Sequence, residues 1–90
     1  MALYEVHREL IEKAVKKGYV DILEVLLSSY DYTKISLNPY LEIAAKDGKI
    51  KIVKVLVSHG AKVTKKTIQL AKESGHKGTA TYLMKAMKRK

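Results

Sequence analysis

Near neutral pH, the side chains in this 90-residue sequence best suited to bind a metal or move a proton are its three histidines, His7, His59 and His76. They lie far apart along the chain, and none forms an HExxH-like pair with metal-ligand spacing, so no metal site is indicated. There is no cysteine, which removes thiolate nucleophiles and the usual structural zinc sites and is compatible with a reducing compartment. Glu5, Glu9 and Glu12 stand at i, i+4 and i+7, a row of carboxylates on one helix face. Pairing with Arg8 and Lys13, or compensation of the helix dipole near its N-terminus, accounts for that row without catalysis. Ser28-Ser29 reads as a helix end, because no G-x-S-x-G elbow surrounds it, and no glycine-rich phosphate loop occurs. The expectation is a chain that is not an enzyme and needs no cofactor.

Basic residues are the more abundant candidates. Residues 1–45 hold five basic groups against seven acidic ones, a net of −2, whereas residues 46–90 hold thirteen against two, a net of +11, together giving the chain's +9. Such asymmetry suits an acidic partner surface or nucleic acid near the C-terminal half. Lysines that merely solvate helix faces are the simpler explanation. The terminal run Lys85-Ala86-Met87-Lys88-Arg89-Lys90 has the same two readings. It complements the negative end of a helix, or it touches nucleic acid or an anionic membrane, with only Tyr82 nearby to stack on bases.

These side chains must be carried by a single small domain, residues 1–90, which buries roughly 60 to 65% of its unfolded surface. With no tryptophan or phenylalanine and 47% apolar residues, its core must be leucine, isoleucine, valine, alanine and some of the six tyrosines. The N-terminus lacks a basic stretch followed by an apolar run and lacks a glycine after Met1, so neither a secretory signal nor myristoylation is expected. Val25 to Leu27 and Val55 to Val57 are far short of the roughly 20 residues that span a bilayer. The expected location is intracellular, in the cytoplasm.

An internal repeat organises the chain. Residues 14–27, Ala14 to Leu27, align without a gap on residues 44–57, Ala44 to Val57, at an offset of thirty, and the glycine and every later apolar position coincide. A weaker third copy, Ala71 to Met84, follows at an offset of twenty-seven. Within a copy, Val20, Leu23 and Leu27, or Ile50, Val53 and Val57, fall at i, i+3 and i+7, which is helical spacing. Lys49-Ile50-Lys51-Ile52 alternates like a strand, but its first-copy counterpart runs on into Leu23-Glu24-Val25-Leu26-Leu27, and one repeat should have one structure. Gly18, Gly48 and Gly75 follow the first helix of each unit, and Asn38-Pro39 reads as an N-cap with proline in the first turn. This predicts helices near 3–17, 20–29, 39–47, 50–58, 65–74 and 77–88, with turn-forming connectors near 30–38 and 59–64.

Ala44-Ala45-Lys46-Asp47-Gly48, Ile52-Val53-Lys54-Val55-Leu56-Val57 and His59-Gly60-Ala61-Lys62-Val63-Thr64, with Gly75-His76 in the third copy, together resemble ankyrin repeats. The resemblance covers roughly residues 9–87 and is strongest in the middle. It implies an all-α, ankyrin-like solenoid of helix-turn-helix repeats, near 4–37, 38–64 and 65–90, with structural roles for His59 and His76. The threonine-proline-leucine-histidine signature is replaced by Glu9-Leu10-Ile11-Glu12, Pro39-Tyr40-Leu41-Glu42 and Lys66-Thr67-Ile68-Gln69, so its hydrogen bonding must be supplied otherwise. The connections are also shorter than the family's, so long hairpin fingers are expected to be reduced or lost. Terminal repeats should act as polar caps, through Lys72, Lys77, Gly78, Thr79 and Thr81 at one end and Tyr4, Glu5, Arg8 and Glu9 at the other.

By the same resemblance, the residues before each glycine and the connector tips line a concave face: Lys16, Lys17, Lys46, Asp47, Glu73 and Ser74, with Lys62, Lys65 and Lys66. Tyr19 serves either as an amphipathic anchor at that face or as filling between repeats. The expected function is a scaffold that binds another protein, through an acidic surface on that protein. Nucleic-acid or anionic-surface binding is the alternative, and a structural or engineered repeat without a partner is the third.

Overall fold

The computed structural model describes residues 3–29 and 36–88, with side chains from Arg8 onward. The side chains of Tyr4, Glu5 and His7, the connector at 30–35 with Lys34, and Arg89 and Lys90 lie outside the described residues. Six helices follow one another: α1 (Leu3–Lys17), α2 (Val20–Ser29), α3 (Asn38–Asp47), α4 (Ile50–Ser58), α5 (Lys65–Glu73) and α6 (Lys77–Lys88). No strand occurs among the described residues.

The odd-numbered helices form one layer, in which α3 packs on both α1 and α5. The even-numbered helices form the other, in which α4 packs on both α2 and α6. Each pair is joined by a two- or three-residue turn, so an all-helical solenoid of helix-turn-helix units results. Its core is continuous through the three units. Ile11, Ala14 and Val15 of α1 meet Leu41, Ala44 and Ala45 of α3, Ile68 and Ala71 of α5, and Leu23, Ile52, Val53, Leu56, Ala80 and Leu83 of the second layer, all buried. Alanine at 14, 44, 45 and 71 lets the inner helices approach closely.

Gly48 shows why the turn needs glycine. Its φ is +70°, in the left-handed region, and its N–H donates to the carbonyl of Ala45 at 3.2 Å while the N–H of Lys49 donates to that of Ala44 at 3.0 Å. A Cβ there would also stand 2.6 Å from the Cγ and Cε1 of His76, whose ring lies against this turn from the next unit. His59 is structural as well, with its Nε2 3.0 Å from Glu24 Oε2, tying α4 to α2.

Asn38 does not cap α3 as expected. The helix starts at Asn38 itself, after Leu37, and has no side-chain cap. The Asn38 amide oxygen instead accepts the backbone N–H of Lys62 at 2.9 Å, and its own N–H donates to Ser36 Oγ at 3.3 Å. Leu37 is buried and locks the entry by packing, while its carbonyl accepts the Leu41 N–H at 3.0 Å. In the third unit, Thr64 is the N-cap. Its hydroxyl accepts the Thr67 N–H at 3.3 Å and lies 3.0 Å from the buried Thr67 hydroxyl, which supplies the hydrogen bonding that the missing family signature left open.

Of the described residues expected to form polar caps, all but Thr79 are exposed. Lys72, Lys77, Gly78 and Thr81 are exposed on the third unit, but Thr79 is 4% exposed and belongs to the core. At the other end Arg8 and Glu9 are exposed, yet Leu10 and Ile22 stand in solvent beside them.

Candidate partner-binding surface

The inner helices bury one side and leave the other open. In α1 the open positions are Glu9, Glu12, Lys13, Lys16 and Lys17, in α3 Pro39, Lys46 and Asp47, and in α5 Lys65, Lys66, Gln69, Lys72 and Glu73. All ten residues assigned from the sequence are exposed. Tyr19, with burial and exposure both open from sequence, is 45% exposed at the first turn.

The repeat relation sorts nine of them into two groups. Lys16 and Lys17, Lys46 and Asp47, and Glu73 and Ser74 occupy equivalent places at the C-terminal ends of α1, α3 and α5, with Tyr19 beside the first of these ends. Cationic side chains there interact favourably with the helix dipole. Lys65 and Lys66 stand in the first turn of α5, with Lys62 in the connector before it. Seven residues of helix, about 10 Å, separate Lys66 from Glu73. The face therefore has two charged margins rather than one basic strip.

Sequence reasoning missed what lies between the margins. Lys16 Nζ is 3.5 Å from Glu12 Oε2, Lys66 Nζ is 3.6 Å from Glu42 Oε1, and Gln69 Nε2 donates to Glu73 Oε2 at 3.1 Å. Glu12 stands four residues before Lys16, a spacing that points to their pair, whereas Glu42 meets Lys66 only through the packing of α5 on α3. Such exposed pairs contribute only about 0 to 1 kcal/mol, but they locally neutralise Lys16 and Lys66. Lys17, Lys46, Lys62 and Lys65 make no ion pair among the described residues. Half-buried Ile43 and Leu70 sit mid-face as apolar ground between the margins.

A second lysine array lies on the outer layer. Lys51 and Lys54 of α4 and Lys77, Lys85 and Lys88 of α6 are exposed, and neither helix contains an acidic residue. Lys54 Nζ stands 5.5 Å from the centre of the Tyr82 ring. No group of three or more histidine, aspartate or glutamate side chains arranged to hold a metal occurs among the described residues. No helix among them is long and apolar enough to cross a membrane.

Residues 38–68, about a third of the chain, match the ankyrin repeat family. No curated protein and no solved structure matches the chain. Ankyrin repeats are in general protein–protein interaction modules and typically non-catalytic. The matched segment takes in all of α3 and α4, the connector tied by Asn38, and the capped start of α5. The centre of this chain is thus similar to an ankyrin repeat, and it is flanked on each side by one further helix pair of the same helix-turn-helix arrangement.

Proposed function

We propose that the chain is a non-catalytic interaction module that holds an acidic surface of another protein against the open side of α1, α3 and α5. The observation that carries this reading is the pair of margins. Lys17 and Lys46 at one end, and Lys62 and Lys65 at the other, present ammonium groups free of carboxylate partners among the described residues, on either side of Ile43 and Leu70. Lys16 and Lys66 add charge that an incoming carboxylate can share with Glu12 and Glu42, and Tyr19 offers an amphipathic edge. Asp47, Glu73 and Ser74 interrupt the positive margin, which favours a partner with spaced rather than continuous acidic groups.

The test is capture of proteins from a lysate at moderate salt by the parent chain and by a Lys46→Glu/Lys66→Glu variant, with captured proteins identified by mass spectrometry. The reading expects specific proteins lost by the variant at an unchanged melting temperature. Equal capture by both would refute it.

The alternative of nucleic-acid or anionic-surface binding is favoured by the five lysines of α4 and α6 with no intervening carboxylate. It predicts an affinity that falls steeply with salt and is lost when Lys85 to Lys90 are removed.

A further inference from the structure

The internal repeat shows which positions of each unit receive the unit before it. Glu24 reaches His59 of the following unit, and Lys54 lies over Tyr82 of the following unit, so positions 24 and 54 face forward along the stack. Two residues earlier is 200° round the helix, so Ile22 and Ile52 face backward, as do Leu26 and Leu56. In the second and third units the backward positions are covered. Tyr40 and Thr67 are 6% and 1% exposed, Ile52 and Thr79 1% and 4%, and Leu56 and Leu83 fully buried. Their first-unit equivalents are open: Leu10 is 43% exposed, Ile22 53% and Leu26 half-buried. A hollow of about 260 Å³ lined by Asp21, Ile22, Val25 and Leu26 adjoins them. The first unit thus presents an apolar face continuous with the two inter-repeat interfaces already formed.

The other end of the stack does not match it. Position 15, buried Val15 in the first unit and buried Ala45 in the second, becomes exposed Lys72 in the third, and exposed Lys85 stands nearby on α6. Head-to-tail stacking would press these ammonium groups onto Leu10, Ile22 and Leu26, at a desolvation cost.

We propose that this face is the interface of a two-fold dimer of the chain, first unit against first unit. Because α1 and α2 are antiparallel and joined through Gly18 and Tyr19, a two-fold axis parallel to them lays α1 of one copy antiparallel across α2 of the other. Leu10 lies seven residues from Lys17, and Leu26 six from Val20, so both stand about 10 Å from the shared turn and meet across the axis. Lys13 and Lys17, at i+3 and i+7 from Leu10 on the same stripe, then approach Asp21 of the second copy at the rim. Leu10 and Leu26 thereby gain apolar counterparts, and the contact is isologous, so it closes at two. One helix-pair face is small for a stable interface, which places the association between about 1 µM and about 1 mM.

Sedimentation equilibrium of the full chain across that range tests it. The expected result is a mass rising from one 10.1 kDa chain to two and stopping there. Leu10→Lys/Ile22→Lys should hold the mass at one chain, with Ile22→Gln giving the same direction should the double variant lose helicity, while Lys72→Glu should leave dimerisation intact. A monomer throughout would assign the face to another occupant and overturn the dimer. So would growth beyond two copies, loss of association in Lys72→Glu, or a dimer indifferent to the Leu10 and Ile22 substitutions.

Discussion

At Gly48 two demands fall on one residue. The left-handed φ of +70° costs a non-glycine residue about 1 to 2 kcal/mol, and the His76 ring occupies the space of a Cβ. Gly18 has nearly the same backbone, φ +78°, but a Cβ there would meet only the Lys49 side chain at 4.0 Å. Gly48→Ala is therefore expected to destabilise by about 2 to 3 kcal/mol and Gly18→Ala by about 1 kcal/mol in denaturant unfolding. His76→Ala should recover part of the first loss but none of the second. Thr79 makes a second prediction. It is buried, no hydrogen bond to its hydroxyl is formed among the described residues, and its repeat equivalents are Ile22 and Ile52. Thr79→Val should stabilise by about 1 kcal/mol, read as a higher melting temperature.

Among the elements, the entries to α3 and α5 are secured by different means. Thr64 caps α5 directly, so Thr64→Ala should cost about 1 kcal/mol. Asn38 ties α3 to the connector before α5 through Lys62, so Asn38→Ala should cost a similar amount while loosening residues 61–64, visible as faster amide exchange at Lys62. All six helices were legible in the sequence to within a residue, because two copies at an offset of thirty constrained each other and settled the strand-like run at Lys49 to Ile52 as helix. The role of Asn38 was not legible. An asparagine before a proline signals an N-cap locally, and only the fold brings the Lys62 N–H to its side chain. Thr79 was misassigned for a related reason: polarity suggested a cap, whereas position in the repeat put it in the core. The exposure of the proposed surface was legible, since most of its positions flank the glycines at the ends of the inner helices. Its charge pattern was not, because Glu42 and Lys66 are brought together only by packing of α5 on α3.

At the scale of the whole molecule, stability comes from neighbour contacts, with α3 and α4 holding both outer units. A domain of this size is worth about 5 to 10 kcal/mol in total. Removal of residues 65–90 strips the covering from α3 and α4, and the remaining chain should lose its cooperative thermal transition. The lysines divide over two faces of the assembled stack, and that division allows a direct test of the proposed surface. The decisive measurement is the affinity of a captured protein partner for two charge-matched variants, Lys46→Glu/Lys66→Glu on the inner layer and Lys54→Glu/Lys85→Glu on the outer layer. We predict at least a tenfold loss for the inner pair and little change for the outer pair, with both variants melting like the parent chain. Loss confined to the outer pair, or equal loss in both, would contradict a partner site on α1, α3 and α5.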